Sequence, residues 1–129
     1  MENREIKEKL SEGYLHIRAI IEVVGKPKDY VQKTIKDYVD KIKKEYLITN
    51  IDLEKVEEHE GFFSTFAELE ILFKNLKDLL SFCYGFMPSS LEILDPTHLN
   101  IESTIFTDFL NDNQARMHGL NTGLLQTRD

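Results

Sequence analysis

The side chains that most often carry chemistry are thinly spread in this sequence. His16, His59, His98 and His118 show no metal-ligand spacing. Asp95 to His98, "DPTH", reads as a turn closing a strand rather than as a pair of ligands. Cys83 lies among apolar residues with no histidine placed near it, so it reads as a small buried hydrophobe. Glu102, Asp108 and Asp112 fall at helical spacing but have no catalytic partner. Two groupings remain. Arg18 with Glu68 or Glu70 forms either a cross-strand ion pair or a site for a carboxylate or phosphate, and the pairing is the reading adopted. Lys26 and Lys28, in "GKPKD", offer a candidate anion site at the start of a helix. There is no nucleophile–base pair, glycine-rich phosphate loop or zinc signature. No catalytic residue, metal ligand or cofactor is therefore assigned, and the chain is not expected to be an enzyme.

The elements that must position these groups follow from the spacing of apolar residues. Residues 1–12 suggest a short polar helix with Ile6 and Leu10 as its apolar pair. In "YLHIRAIIEVV", Leu15, Ile17, Ala19, Ile21 and Val23 alternate with His16, Arg18, Ile20, Glu22 and Val24, which predicts a strand with one apolar face. From Lys28 to Glu45 the period becomes helical, with Val31, Ile35, Tyr38, Val39 and Ile42 as the stripe. Residues 47–61 read as a weaker, acid-rich strand closed by Gly61 into a hairpin, followed by a strong strand, "FFSTFAELEILF". Asn75 caps a second helix with Leu76, Leu79, Leu80, Cys83 and Tyr84 on one side. Pro88 then turns the chain into "SLEIL", which Pro96 ends.

The order is βαββαβ, the ferredoxin-like α+β sandwich: an antiparallel sheet with two helices on one face, its first and third strands central. The core occupies residues 13–96 of a single domain spanning 1–129. A short helix precedes it, and a terminal helix at about 101–118 follows, with a polar tail at 119–129. The sheet face away from the helices should carry His16, Arg18, Ile20, Glu22, Phe62, Ser64, Phe66, Glu68, Glu70 and Glu92. Arg18, Ile20, Phe62, Phe66 and Glu68 are its candidate interaction residues, because an apolar patch of this kind marks a contact. The terminal helix, a second copy, or a ligand or other partner would each satisfy it.

"EGFFSTF" resembles the opening of the RNA-recognition motif, in which aromatics on this strand stack bases. Glu60 stands where that motif has a basic residue, and Glu57, Glu58, Glu68 and Glu70 would repel phosphate. Nucleic acid is not an expected partner. Acylphosphatase chemistry on this fold needs an arginine in the loop after the first strand, and "GKPKD" has none. "SSLEILDPTHL" (residues 89–99) resembles the closing strand of the C-terminal extension domain of WYL-type transcriptional regulators. Leu91, Glu92, Ile93, Leu94, Asp95, Pro96 and Leu99 match, and Asn100 replaces the family's arginine. The resemblance implies a ferredoxin-like regulatory or oligomerising module, and it equally allows a small, uncharacterised family of the chain's own. It transfers neither DNA binding nor the WYL ligand site, because neither of those domains is present in this sequence.

Bulk properties set the remaining bounds. A net charge of −7 opposes affinity for nucleic acid or anionic membranes, and no apolar run approaches the roughly 18 residues of a membrane span. The charge is polarised: Lys26 to Glu45 holds seven lysines against four acids, and Asp52 to Glu70 seven acids against one lysine. A charged N-terminus and a single cysteine fit a soluble, cytoplasmic protein. The function expected is a non-catalytic, self-associating binding or regulatory module. It would form a homodimer or take a protein partner through the free sheet face or edge strand. The alternative is an ACT-like sensor of a small anionic effector at Lys26 and Lys28 or against Arg18, and an enzyme with an unrecognised site is the third class.

Overall fold

A computed structural model describes residues 1–127, with side chains described as far as Leu120. The elements run α1 (Asn3–Ser11), β1 (Leu15–Gly25), α2 (Lys28–Glu45), β2 (Leu47–Leu53), β3 (Glu57–His59), β4 (Phe62–Phe73), α3 (Leu76–Phe86), β5 (Ser90–Asp95) and α4 (Ser103–Thr127). The chain divides into two compact units, Met1–His98 and the segment from Leu99 onward.

In the first unit the strands order as β2-β4-β1-β5, with β3 extending the β2 side along β4, and every pairing is antiparallel. The long β1 and β4 are central, as their apolar content predicts. This is the ferredoxin-like arrangement, with β2 and β3 together serving as its second strand. The core lies between one sheet face and two helices. Leu15, Ile17, Ala19, Ile21 and Val23 of β1 meet Ala67, Leu69, Ile71 and Phe73 of β4. Val31, Ile35, Val39 and Ile42 of α2 and Leu79 and Phe82 of α3 close over them.

Three details depart from the expectations. The acid-rich second strand is broken between β2 and β3. There the Glu54 N–H still donates to the Phe66 carbonyl, and the Thr65 hydroxyl donates to the Glu54 carbonyl at 2.7 Å, so the chain keeps its course beside β4 without a regular ladder. α3 turns Phe82, not Leu80 or Tyr84, into the core, because Tyr46, Phe73 and Phe86 wait there: their ring centroids lie 5.6, 5.2 and 5.4 Å from that of Phe82. α4 continues past His118 to Thr127 where a polar tail was expected, since no proline interrupts the segment.

Local signals close the elements as anticipated. The Asn75 side chain accepts from the Asp78 N–H at 2.8 Å and caps α3, and Met87 ends that helix in the left-handed conformation. Glu60 and Gly61, with φ of 51° and 87°, form a two-residue turn joining β3 to β4, with both residues at positive φ as a tight hairpin requires. The Ser89 N–H and hydroxyl both donate to the Ile20 carbonyl, setting β5 against β1 as it begins.

Candidate interaction surface

Side chains alternate along each strand, so burying the odd-numbered residues of β1 and β4 turns the even-numbered ones to the other face. The register aligns them: Arg18 opposes Glu70, Ile20 opposes Glu68, Glu22 opposes Phe66, and Val24 opposes Ser64. From β2 and β3, Asn50, Asp52 and Glu57 join this face opposite Glu70, Glu68 and Ser64. From β5, Glu92 joins it opposite Arg18.

Arg18 is the centre of the polar half. Its guanidinium lies 2.8 Å from Glu92, 3.3 Å from Glu68 and 3.4 Å from Glu70, joining β5, β1 and β4. Partial burial works against its charge, but Glu92's hydrogen bond and charge, with Glu68 and Glu70, raise its pKa above the ordinary arginine value. The expected cross-strand pairing with Glu68 or Glu70 is thus present with both, and Glu92 adds a third carboxylate. The cluster as a whole carries an excess of negative charge.

The face is open at one end only. His16, expected among its free residues, is 8% exposed, and its Nε2 lies 3.0 Å from the Thr49 hydroxyl on β2. That hydrogen bond has to cross β4, where Leu72, the register partner of His16, is also buried. At the hairpin end, Val24, Phe62 and Phe66 are 59%, 51% and 39% exposed, and Ile20 is half-buried beside them. The structure therefore brings Ile20, Phe66, Val24 and Phe62 into one zigzag on β1 and β4, with Arg18 and Glu68 at its inner end. Val24 was visible in the alternation of β1 but was not singled out. Asp52 and Glu57 were hidden because their place on this face depends on pairing with β4.

The Lys26 ammonium sits over the Phe62 ring, 5.0 Å from its centroid, at the open end of the face. Lys28 opens α2, where Asp29 already supplies negative charge to the first turn. Cys83 is half-buried at the edge of the core, and desolvation pushes its thiol pKa up. Among the described residues, no three histidine, cysteine, aspartate or glutamate side chains are grouped to hold a metal ion. No helix among them is long and apolar enough to cross a membrane.

Fold and face together define an α+β protein of ferredoxin-like topology, with one sheet face packed under helices and the other half open. The chain belongs to the MJ0538 family, whose model matches residues 16–124, from β1 into α4. It is 30% identical over 102 residues to "Uncharacterized protein MJ0538" of Methanocaldococcus jannaschii, an alignment taking in 74% of this chain and 38% of the relative. The match thus spans well under half of that relative's length. No solved structure matches. The likeness to WYL-type regulators, which rests mainly on residues 89–99 and on the shared βαββαβ order, gains nothing from these comparisons.

Proposed function

We propose that the protein is a non-catalytic binding module whose working surface is the open half of this sheet face. One observation carries the reading: Phe66, Val24 and Phe62 are exposed and, with half-buried Ile20, occupy successive diagonal positions on the two central strands. Scattered apolar residues on a surface need no explanation, but aromatics gathered on a rigid sheet mark a contact. Self-association belongs to the same reading. A second copy would dock on the zigzag or pair along the outer edge of β5, where Leu91 and Ile93 are exposed and β1 is the strand on the inner side. A regulatory role, which the closing-strand likeness implies, would act through these surfaces. The small-effector reading gains no support from Lys26, which is engaged with Phe62.

The test is solution mass by light scattering over a dilution series, for wild type, Phe66→Asp and Leu91→Lys. A dimer that Phe66→Asp returns to monomer supports docking on the zigzag, and one that Leu91→Lys dissociates supports edge pairing. A monomer at every concentration removes self-association and leaves a different partner. Phe66→Asp unfolding as a core variant would do shows the zigzag to be interior, and the proposal is lost.

A further inference from the structure

We infer that the partner taken by this face is a cationic amphipathic segment, a helix with an apolar stripe flanked by lysine or arginine; this rests on the face being the working surface. The sign of the charge around the apolar zigzag is the reason. Glu22 stands within it, opposite Phe66, and Glu68 opposite Ile20. Asp52 and Glu57 line its β2–β3 side, and Glu92, opposite Arg18, lies just past its inner end. Against these five carboxylates the face sets two cations, Arg18, already held by Glu68, Glu70 and Glu92, and Lys26 over the Phe62 ring, so negative charge stays in excess. Asp52, Glu57 and Glu68, from the acid-rich run Asp52 to Glu70, are thus brought beside the apolar contact together with Glu22.

This arrangement selects among occupants. Two copies of the face apposed about a two-fold axis would set like charge against like, which favours pairing along β5 over docking on the face for self-association, and a dimer lost in Phe66→Asp would overturn this inference. Nucleic acid and anionic lipid meet the same repulsion. A basic partner meets attraction from Asp52 and Glu57 along the β2–β3 border and from Glu22 within the zigzag while its apolar stripe covers the centre. The face already shows how such a cation is received, since the Lys26 ammonium lies over the Phe62 ring. The dimensions also agree. From Ile20 to the end of β1 and on to Phe62 the zigzag runs along about six residues of strand, roughly 20 Å, which about 14 residues of helix would cover.

The experiment titrates the full chain with a synthetic helix of leucine and lysine about 14 residues long, beside a copy with glutamate for lysine. Wild type is compared with Glu22→Lys/Asp52→Lys on the face, Asp37→Lys/Asp40→Lys on α2, and Phe66→Ser. The lysine helix should bind wild type, weaken about tenfold or more on the face variant and change less than about threefold on the α2 control, and the glutamate helix should fail to bind. Equal weakening on both double variants would show general attraction to an acidic chain and overturn the inference, as would no binding of the lysine helix or equal binding of the glutamate helix. Binding lost in Phe66→Ser but indifferent to Glu22 and Asp52 would overturn the cationic partner while the working surface stands. Indifference to all three variants would overturn both.

Discussion

Phe82 and Phe66 lie on opposite sides of the same sheet, and truncating each to alanine measures what covers each side. Phe82 is fully buried, one of only two buried residues in α3, and its ring touches those of Tyr46, Phe73 and Phe86. Removing it forfeits the transfer energy of the ring, leaves a cavity and breaks three aromatic contacts. The expected loss is about 3–5 kcal/mol, a large part of the roughly 5–15 kcal/mol that stabilises a domain. Phe66 is 39% exposed, and water fills the space its ring vacates, so no cavity cost is added. Partial loss of a burial worth about 1.5–3 kcal/mol when complete leaves a cost near 1 kcal/mol. Urea unfolding followed by circular dichroism reads both. At an m-value of about 1–3 kcal/mol/M, the Phe82→Ala midpoint falls by about one molar or more, roughly three to five times as far as that of Phe66→Ala, which falls by about one molar or less. Equal losses would refute the reasoning, because they would place Phe66 in an interior as well packed as that of Phe82.

Asn75→Ala removes the side chain that caps α3 and should cost about 1 kcal/mol in the same urea assay. Gly61→Ala forces a side chain into a left-handed turn position with no steric neighbour within 4 Å, so its cost is purely conformational, about 1–2 kcal/mol by thermal melting, while Glu60→Asn should raise stability by a few tenths. Burial raises the pKa of Cys83, and burial followed by the charge of Glu45 raises that of Tyr46. The neutral forms are therefore favoured in the fold, and stability fully present below the ordinary thiol and phenol pKa values is lost as pH rises past them through the raised values of the fold, where unfolding releases protons. Alkylation of Cys83 by iodoacetamide should accordingly follow a pH profile above that of an unfolded control, and a coincident profile would contradict the burial.

Where a residue's face is set by its immediate neighbours, the sequence alone was sufficient. The alternation in β1 and β4 and the stripe of Val31, Ile35, Val39 and Ile42 assign the core correctly, because periods of 2 and 3.6 are local geometry. Asn75 and Gly61 likewise mark a cap and a turn by their own chemistry. α3 was harder. Lys77, Asp78, Ser81 and Gly85 share one side, but the apolar arc opposite is broad enough for Leu80 and Tyr84 or Phe82 to face the core with Leu79, and the ring cluster contributed by α2's end and β4 brings Phe82 inward.

The surface was legible as a face but not as a site. Ile20, Phe62 and Phe66 were visible as even-numbered residues, and the pairing of Arg18 with Glu68 and Glu70 followed from adjacent strands. The third carboxylate, Glu92, is 74 residues from Arg18 in sequence and reaches it because β5 pairs with β1. The burial of His16, the break between β2 and β3, and the gathering of Asp52, Glu57 and Glu22 around the apolar zigzag all depend on register between strands. Register is decided by the summed packing of a whole strand against its neighbour, and no short stretch of sequence contains it. The sequence by itself determined which residues are apolar, charged and periodic. The tertiary structure alone decided which charges surround which apolar residues, and so what kind of partner the face can hold.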